Sequence, residues 1–225
     1  MGLVGRRRRL LNCGYMNMTA ELKPGRYAAS VETACGIAGL RDLTDADLSA
    51  IVDYWLLSPA EHLAYMGVDR PRLGTRDVIH ARFLKAIRTG DTAQANIALA
   101  VTLDGAMVGY TLLNRYSKDV NYSHWHIIAA GLRARGVSTS LYPPRIKAYF
   151  ELAPIARLIH QTRTRNVGVN RMLDKFVPVA ETKYIEKPDG VAEPGEFHLR
   201  YVTGEDVVRI LARGEELKAA RDSLA

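Results

Sequence analysis

The sequence predicts a mixed α/β domain with one mostly antiparallel sheet flanked by helices. Between residues 96 and 128 apolar and polar side chains alternate with a period of two, which is typical of neighbouring antiparallel strands. Residues 142–164 then indicate a helix followed by a strand, and a strand–helix–strand connection of this size favours parallel pairing with the preceding strand. The predicted order is βααβββαβαββα, with one parallel crossover.

The composition is that of an ordinary globular protein. The chain has 225 residues, 48% hydrophobic and 24% charged, which suits one domain and excludes a disordered or fibrous chain. No window reaches the roughly 18–20 consecutive apolar residues of a membrane helix, and no signal peptide is indicated. We expect a cytoplasmic protein. Cys13 and Cys35 belong to no cysteine or histidine cluster, so neither a disulfide framework nor a structural zinc site is expected.

Three segments are predicted. Residues 1–35 show no sustained period and are interpreted as a loose basic leader. The net charge is +7, but the four arginines at 6–9 leave only +3 for the remainder. These arginines can bind phosphate, yet a solvated tail is the preferred interpretation, and a nucleic-acid partner is not expected. Residues 36–203 form the main domain, and residues 204–225 a C-terminal helix packed on it or extending from it.

The first half of that domain is predicted to be a strand and two helices. Residues 37–44 alternate weakly, and Thr44 or Asp45 is expected to cap the next helix. The apolar residues of that helix lie on one face: Leu48, Ile51, Val52, Trp55 and Leu56. Residues 58–76 contain two prolines and two glycines and are interpreted as a short helix and a loop. Residues 76–87 repeat the helical spacing.

The second half is predicted to begin with three strands. Residues 97–103 and 106–114 are joined by a hairpin turn at Asp104 and Gly105, and residues 121–128 form the next strand. A helix ending before Pro154 is followed by a strand at 156–164. A short helix at 166–176, a hairpin around Asp189 and Gly190 and a terminal helix complete the domain.

Pro143 and Pro144 interrupt the helix expected after Gly136. An interior proline removes a backbone hydrogen bond and clashes with the preceding turn, at a cost of about 3 kcal/mol. A single straight helix from Gly136 to Ala153 is therefore not expected. Either a tight turn at 136–140 precedes a new helix from Ser140, with the prolines in its first turn, or the helix kinks.

Residues 133–138, RARGVS, lie where a strand passes into a helix. The first amides of a helix have no internal partner and lie at the positive end of its dipole, so they favour an anion. Gly136 permits close approach of the backbone because it has no Cβ. Arg133 and Arg135 add positive charge, and Ser138 or Thr139 can add a hydroxyl donor. The alternative interpretation is that Gly136 merely ends a turn.

Together with the strand order, this stretch resembles the GNAT superfamily of acyl-CoA-dependent N-acetyltransferases over about residues 37–203. The family's pyrophosphate loop has Arg or Gln, two residues, Gly, one residue, then Gly or Ala; Arg133 and Gly136 match, and Ser138 replaces the smaller residue. The resemblance implies acetyl-CoA as cofactor. Its diphosphate would be held by Arg133, Ala134, Arg135, Gly136, Val137, Ser138 and Thr139. The backbone of Ile128, Ala129 and Ala130 would align the pantetheine and polarise the thioester.

A second segment, NVGVNRMLDKF at 166–176, resembles the family's short helix after an asparagine. The resemblance implies that Asn166 contacts the pantetheine arm. Leu173 stands where many members carry the tyrosine that protonates the departing thiolate, so that role is not transferred. Tyr184 or Tyr142 is a possible substitute.

The strand YSHWH carries the candidate base. An alkylammonium must lose a proton before it can attack a thioester, and imidazole titrates near neutral pH. His124 and His126 share one strand face, and some members of the family carry such a pair as a base or proton relay. The alternative is a packed, hydrogen-bonded histidine; a zinc site is disfavoured, because further ligands are not evident. The remaining histidines are interpreted as structural or surface residues: His62, His80, His160 and His198.

The predicted function is direct transfer of an acetyl group from acetyl-CoA to a primary amine of a small molecule or peptide. The acceptor is expected beside Tyr54, Trp55 and residues 62–69, where Asp69 would attract the amine. The alternative is a non-catalytic acyl-CoA-binding protein of the same fold. The acceptor, the acyl chain and the choice between monomer and homodimer stay open.

Overall fold

The computed structural model describes residues 28–88 and 96–223. The strands are β1 (Ala28–Thr33), β2 (Gly36–Asp42), β3 (Ile97–Leu103), β4 (Ala106–Arg115), β5 (Val120–Ile127), β6 (Arg157–Arg163), β7 (Glu181–Ile185) and β8 (Gly195–Thr203). The helices are α1 (Leu48–Leu57), α2 (Ala60–Met66), α3 (Arg76–Arg88), α4 (Val137–Leu152), α5 (Val167–Leu173) and α6 (Asp206–Asp222). None of these helices combines the length and apolar character needed to cross a membrane.

All eight strands form one sheet in the order β1-β2-β3-β4-β5-β6-β8-β7. Strands β5 and β6 are parallel and are connected through α4, whereas every other neighbouring pair is antiparallel. This confirms the predicted fold class, a mostly antiparallel sheet with one parallel crossover.

The order of elements differs from the prediction at two places. Ala28–Thr33, assigned to the loose leader, forms β1 and pairs with β2 through a hairpin in which Gly36 has a φ of 129°. Three helices rather than two follow β2, because the segment at 58–76 holds the complete helix α2. Residues 1–27, including the arginines at 6–9 and Cys13, lie outside the described residues. The order within the described part is ββαααβββαβαββα.

Apolar side chains cover both faces of the sheet. On one face Leu99 and Val101 pack against α4 and α6, and on the other Ala100 packs against α1 and α3, as the period of two requires. Full burial of a leucine or valine contributes about 1.5–3 kcal/mol, so both helix layers stabilise the sheet. Helix α6 belongs to this core through Ile210, which has no exposed surface.

The start of α1 is fixed by a buried carboxylate. Thr44 is the capping residue, since its amide and hydroxyl both donate to Asp47 Oδ2 at 2.9 Å, and a 3-10 turn at Asp45–Asp47 precedes the helix. Arg41 pairs with Asp47 at 2.7 Å. Burial alone would raise the pKa of Asp47, but its bonds with Arg41 and Thr44 outweigh burial and lower that pKa. This anchor sets the position of α1.

Helix α4 runs without interruption from Val137 to Leu152 with both prolines inside it. The new helix from Ser140 considered above is therefore wrong. Packing accommodates the first of these prolines: the ring of Pro143 lies against α6 at Gly214, where an added Cβ would be only 2.7 Å from Pro143 Cγ. Glycine is needed at 214 because α4 and α6 approach closely.

Gly214→Ala is predicted to destabilise the protein by about 1–3 kcal/mol, because the overlap with Pro143 must separate two packed helices. Alanine favours a helix by about 1 kcal/mol over glycine, so helix propensity alone predicts the opposite sign. Urea unfolding measures the difference. Gly168→Ala in α5 is the matched control, since nothing lies within 4 Å of its added Cβ and no loss is expected. Equal or greater stability of Gly214→Ala would contradict the packing.

Candidate active site

The turn before α4 presents a group of open backbone amides. Gly136 has a φ of 86° and Ala134 a φ of 61°, and these left-handed residues turn the chain into the helix. The backbone amides of Arg133 and Arg135 donate long hydrogen bonds of 3.3 Å to the carbonyls of Ala130 and Leu132, respectively. Within residues 28–88 and 96–223 no acceptor is found for the remaining amides, those of Ala134, Gly136, Val137, Ser138 and Thr139. Their N–H groups meet the requirement for binding an anion.

Strand β5 separates from β6 immediately before this turn. The parallel pairing ends at Tyr122 and Ile159, so residues 123–127 have no partner on β6. Because Ile128 N donates to Val108 O, alternation along the ladder directs the backbone groups of Ser123, Trp125 and Ile127 away from β4. The open strand edge is therefore at these three residues, except that the carbonyl of Ile127 accepts from Arg133 Nε at 3.4 Å.

The amides expected to polarise a thioester are already bonded. Ile128 N and Ala129 N both donate to Val108 O, at 2.9 and 3.1 Å, which forms a bulge at the end of β5. Ala130 begins a short 3-10 turn, Ala130–Leu132. This corrects the expectation for Ile128 and Ala129, because a shared carbonyl occupies both donors. The alternation described above assigns the open donors to Trp125 and Ile127 instead.

Trp125 connects the open edge to α4. Its indole Nε1 donates to Ser138 Oγ at 2.8 Å, and the guanidinium of Arg145 lies 4.4 Å from its ring centroid. Arg145 is 1% exposed. A cation over an indole face is favourable, so these contacts fix Trp125 and the strand edge against α4. Ser138 Oγ thus accepts from the indole, while its hydroxyl proton can still be donated to an anion.

The second predicted segment is only partly placed at the site. Asn166 is the N-cap of α5, where Oδ1 accepts from Val169 N at 3.4 Å. Leu173 is 1% exposed and packs in the core. Tyr142 is buried, and its hydroxyl bonds His160 Nε2 at 2.9 Å, whereas Tyr184 is 68% exposed on edge strand β7. The hydroxyl of Tyr142 is thus engaged with His160, and Tyr184 lies on the edge strand of the sheet, three strands from β5.

His124 and His126 face a common cavity of about 560 Å³, which we call the β5 cavity. His126 is stacked on Tyr110 with 5.1 Å between ring centroids, and Trp55 meets it edge-on at 4.9 Å. His124 meets Tyr122 edge-on at 4.3 Å. Helix α3, strand β4, the residues just before α3 and β3, and the loop before β8 complete the lining: Leu73, Ile79, Arg82, Phe83, Lys85, Ala86, Asn96, Leu112, Asn114, Gly190 and Val191.

Burial keeps both imidazoles neutral. It lowers the pKa of His124 to about 4. It also lowers the pKa of His126 to about 3, with smaller contributions from the neighbouring His124, His62 and Arg133. Loss of solvation disfavours the imidazolium, so at neutral pH each ring offers one lone pair. A neutral imidazole in this cavity can accept a proton only from a strongly acidic donor.

Hydrogen bonds orient His126 through Tyr54. Tyr54 Oη lies 3.3 Å from His126 Nδ1 and 3.3 Å from His62 Nε2, and it can donate its proton to Met66 Sδ at 3.2 Å. Arg133 can only donate, so its contact at 3.4 Å makes His62 Nδ1 an acceptor and leaves the proton on Nε2. When the Tyr54 proton lies towards Met66 Sδ, Tyr54 Oη accepts from His126 Nδ1–H, and the lone pair of His126 Nε2 is then available.

Sequence reasoning missed the roles of His62 and α3. The sequence indicates a structural or surface role for His62, but this residue bonds Tyr54 beside the site. Asp69, expected to attract the amine, is not among the lining residues of the β5 cavity. Arg82 and Lys85 line it instead, and no sequence signal separates such residues from other exposed basic side chains on a helix. No group of three or more potential metal ligands occurs in the described chain.

The comparisons with known proteins find similarity in structure alone. No protein-family model and no curated protein matches the chain. Mycobacterium smegmatis RimJ in complex with CoA-disulfide is similar with a TM-score of 0.61 and 16% identity, covering 83% of this chain and 94% of that chain. Vibrio fischeri ribosomal-protein-S5-alanine acetyltransferase gives a TM-score of 0.62, 14% identity and coverages of 79% and 98%.

Aminoglycoside acetyltransferase AAC(6')-Ib in complex with coenzyme A is a third similar structure. Its TM-score is 0.58 at 16% identity, and the match covers 76% of this chain and 96% of that chain. The chain therefore has the fold of the GNAT superfamily. This confirms the architecture expected from the sequence resemblance.

Acid is predicted to destabilise the protein between pH 6.5 and 4 partly through the histidine pair. In that window the unfolded imidazoles, with pKa values of about 6.5, bind protons that His124 and His126 do not bind when folded. Stability is therefore retained above pH 6.5 and falls as the pH falls towards 4. The measurement is the urea midpoint at pH 7 and pH 5.

His126→Asn should reduce the difference between these two midpoints, because it removes one titrating imidazole. His80→Asn, on the exposed side of α3, is the control and should leave the difference as in the wild type. An unchanged difference in His126→Asn would contradict the neutral, buried state of this ring.

Proposed function

We propose that this protein is an acetyl-CoA-dependent N-acetyltransferase that transfers the acetyl group directly to a primary amine. The single observation that carries the proposal is the group of open amides at Ala134 and 136–139 beside the gap between β5 and β6. Two structures of the same fold support this choice of ligand: RimJ holds CoA-disulfide, and aminoglycoside acetyltransferase AAC(6')-Ib holds coenzyme A.

The residues present fit coenzyme A. Its diphosphate requires several N–H donors that converge, and the turn into α4 provides them together with the positive end of the helix dipole. Gly136 and Arg135 are exposed there, so a doubly charged group can approach. The pantetheine arm is an extended chain with amide groups, and the free edge at Trp125 and Ile127 offers it strand-like hydrogen bonds. Bound acetyl-CoA would supply the acetyl group as a thioester.

The β5 cavity would hold the acceptor amine next to His124 and His126. With pKa values of about 4 and 3, neither imidazole can deprotonate an alkylammonium efficiently, so the amine must bind in its neutral form. The nitrogen becomes strongly acidic once it begins to bond to the carbonyl carbon, and His126 Nε2 can then take its proton. Tyr54 is a positioning residue that keeps this lone pair available.

The departing thiolate has no tyrosine acid at position 173. A thiol with a pKa of about 8.5 is a tolerable leaving group at neutral pH, so turnover does not require one. The buried Leu173 and the lowered pKa values of both histidines nevertheless favour a second candidate, a non-catalytic acyl-CoA-binding protein. The two functions differ in one readout: the enzyme releases free thiol from acetyl-CoA in the presence of an amine, and the binding protein does not.

Gly136→Glu is predicted to weaken acetyl-CoA binding about 100-fold in calorimetry, because a carboxylate beside the open amides repels the diphosphate and competes for the same donors. Gly105→Glu is the matched control. Its φ of 84° equals that of Gly136 within a few degrees, and both positions have open space, so strain and added charge are the same. Equal binding by the two variants, or no binding by the wild type at millimolar acetyl-CoA, would refute the proposal.

On the acid side of the pH profile, the fall of kcat/KM is predicted to be set by the pKa of the acceptor amine, without an inflection near pH 6.5. Rates should rise about tenfold per pH unit below the pKa of the amine, since only its neutral fraction reacts while both histidines are already neutral. For two acceptors, the pH at which kcat/KM begins to fall should differ by the difference between their amine pKa values.

Tyr54→Phe should lower kcat about tenfold through loss of the orienting hydrogen bond to His126, with little change in KM for acetyl-CoA. Tyr116→Phe, which is 46% exposed, is the control. If kcat/KM falls near pH 6.5 for every acceptor, whatever its amine pKa, the conclusion that both histidines are already neutral there is contradicted.

A further inference from the structure

Arg133 connects the turn before α4 with the histidine side of the site. Its backbone belongs to the turn that carries the open amides, but its side chain contacts residues on the acceptor side. Nη1 lies 3.4 Å from His62 Nδ1, Nε donates to Ile127 O at 3.4 Å, and the guanidinium carbon is 5.9 Å from the centroid of the Tyr54 ring. A single residue therefore belongs to both halves of the site.

A chain of hydrogen bonds continues from Arg133 to His126. His62 Nε2 and His126 Nδ1 both lie 3.3 Å from Tyr54 Oη. A hydroxyl carries one proton, and a neutral imidazole has one donor and one acceptor nitrogen. The chain can therefore run in two directions, from His62 through Tyr54 to His126 or in reverse. His62 is only half-buried, so its end of the chain is accessible to solvent.

The guanidinium of Arg133 favours the first of these directions. It can only donate, so it requires the lone pair of His62 Nδ1 and places the His62 proton on Nε2. The Tyr54 proton is then left with two acceptors, His126 Nδ1 and Met66 Sδ. An imidazole nitrogen is the better acceptor, because a thioether sulfur accepts only weakly. When His126 accepts at Nδ1, its own proton is on Nε2, and Nε2 is not a base.

Withdrawal of Arg133 permits the reverse direction. His62 can then carry its proton on Nδ1, on the side that Arg133 has left, and its Nε2 accepts the Tyr54 proton. Tyr54 Oη in turn accepts from His126 Nδ1–H. In this direction His126 Nε2 always has its lone pair, so the ring can take a proton from the reacting amine. The position of one guanidinium thus decides whether the base is present.

The charge of Arg133 acts in the same sense. Burial is the main cause of the lowered pKa of His62, and Arg133 adds to it. For His126, Arg133 follows burial, His124 and His62 among the causes that lower the pKa. A neighbouring cation disfavours the imidazolium, so neutralising Arg133 raises the proton affinity of both rings.

The diphosphate of coenzyme A is the group suited to withdraw this guanidinium. Arg133 directly precedes the open amides of Ala134 and 136–139, which are proposed to bind that diphosphate. Its bonds to His62 and Ile127 are long, at 3.4 Å each. A guanidinium–phosphate bond joins two ions, and such bonds are shorter and about twice as strong as bonds between neutral groups. Exchange of the long bonds for a phosphate contact is therefore favourable.

Resting on the proposed binding of acetyl-CoA, we propose that Arg133 is a positioning residue that couples the cofactor to the base. The diphosphate draws the guanidinium away from His62, and His62 then accepts the Tyr54 proton. His126 consequently holds its own proton on Nδ1 and presents a lone pair at Nε2 when the cofactor is bound. The acceptor site is thus completed by the cofactor, and a free enzyme does not present the same base.

The test is NMR of the imidazole nitrogens, which distinguishes a protonated nitrogen from one with a lone pair. In the free wild type at neutral pH, the His62 proton should be on Nε2. Saturating coenzyme A should move it to Nδ1 and increase the fraction of His126 with its proton on Nδ1. Pantetheine, which lacks the diphosphate, should leave both rings as in the free protein. Spectra of His62→Gln and His126→Asn assign the signals.

Arg133→Met tests the coupling residue, because it keeps a long side chain and removes every donor. Its His62 signals should be the same with and without coenzyme A, since no guanidinium is left to withdraw. Arg135→Met is the matched control, with the same loss of charge in the same turn. At saturating coenzyme A its His62 proton should move as in the wild type. A merely structural role of Arg133 does not predict this difference between the two variants.

The outcomes separate this inference from the proposed function. If calorimetry shows that coenzyme A binds while the His62 nitrogen signals of the wild type stay unchanged, the coupling is wrong and the proposed function stands. The coupling is equally wrong if Arg133→Met responds to coenzyme A as the wild type does. If coenzyme A does not bind at millimolar concentration, the proposed function fails, and the coupling fails with it.

Discussion

The separation of β5 from β6 after Tyr122 is the constraint on which the candidate site depends. Two parallel strands would otherwise satisfy each other's backbone groups and leave neither an open edge nor a gap. Trp125, held by Ser138 and Arg145, anchors the free part of β5 on α4. The same contacts place the open amides at the start of α4 at the end of that edge. An anion site and a strand-like edge thus become neighbours through one local departure from regular pairing.

Burial of the histidine pair sets the chemistry on the other face of β5. His126 is partly buried against Tyr110 and Trp55, and this loss of solvation makes its imidazole neutral and weakly basic. Such a group suits a proton that becomes acidic during the reaction rather than one on a resting ammonium. Tyr54, His62 and Arg133 add direction, because each hydrogen bond in their network restricts the tautomer of the next ring. Positioning and low basicity therefore arise from the same packing.

Local patterns predicted much of the fold and the main parts of the site. Alternation predicted β3, β4 and β5 and the shared face of His124 and His126, and the glycine between two arginines predicted the turn into α4. Local reasoning failed where distant packing decided the outcome. Strand β1 has few signals of its own and is held by β2, and Pro143 is accommodated inside α4 because Gly214 of α6 makes room for it.

The sequence by itself determined the alternating pattern of β3, β4 and β5, the positive-φ glycine before α4 and the absence of a tyrosine at position 173, since these depend on residue type and near neighbours. Tertiary structure alone decided which amides are open, since Val108 from another strand occupies those of Ile128 and Ala129. It also brought Tyr54, His62 and Arg133 together from three separate segments and turned Arg82 towards the cavity. Hydrogen-bond partners and cavity walls come from residues far apart in the chain, and no local pattern encodes such distances.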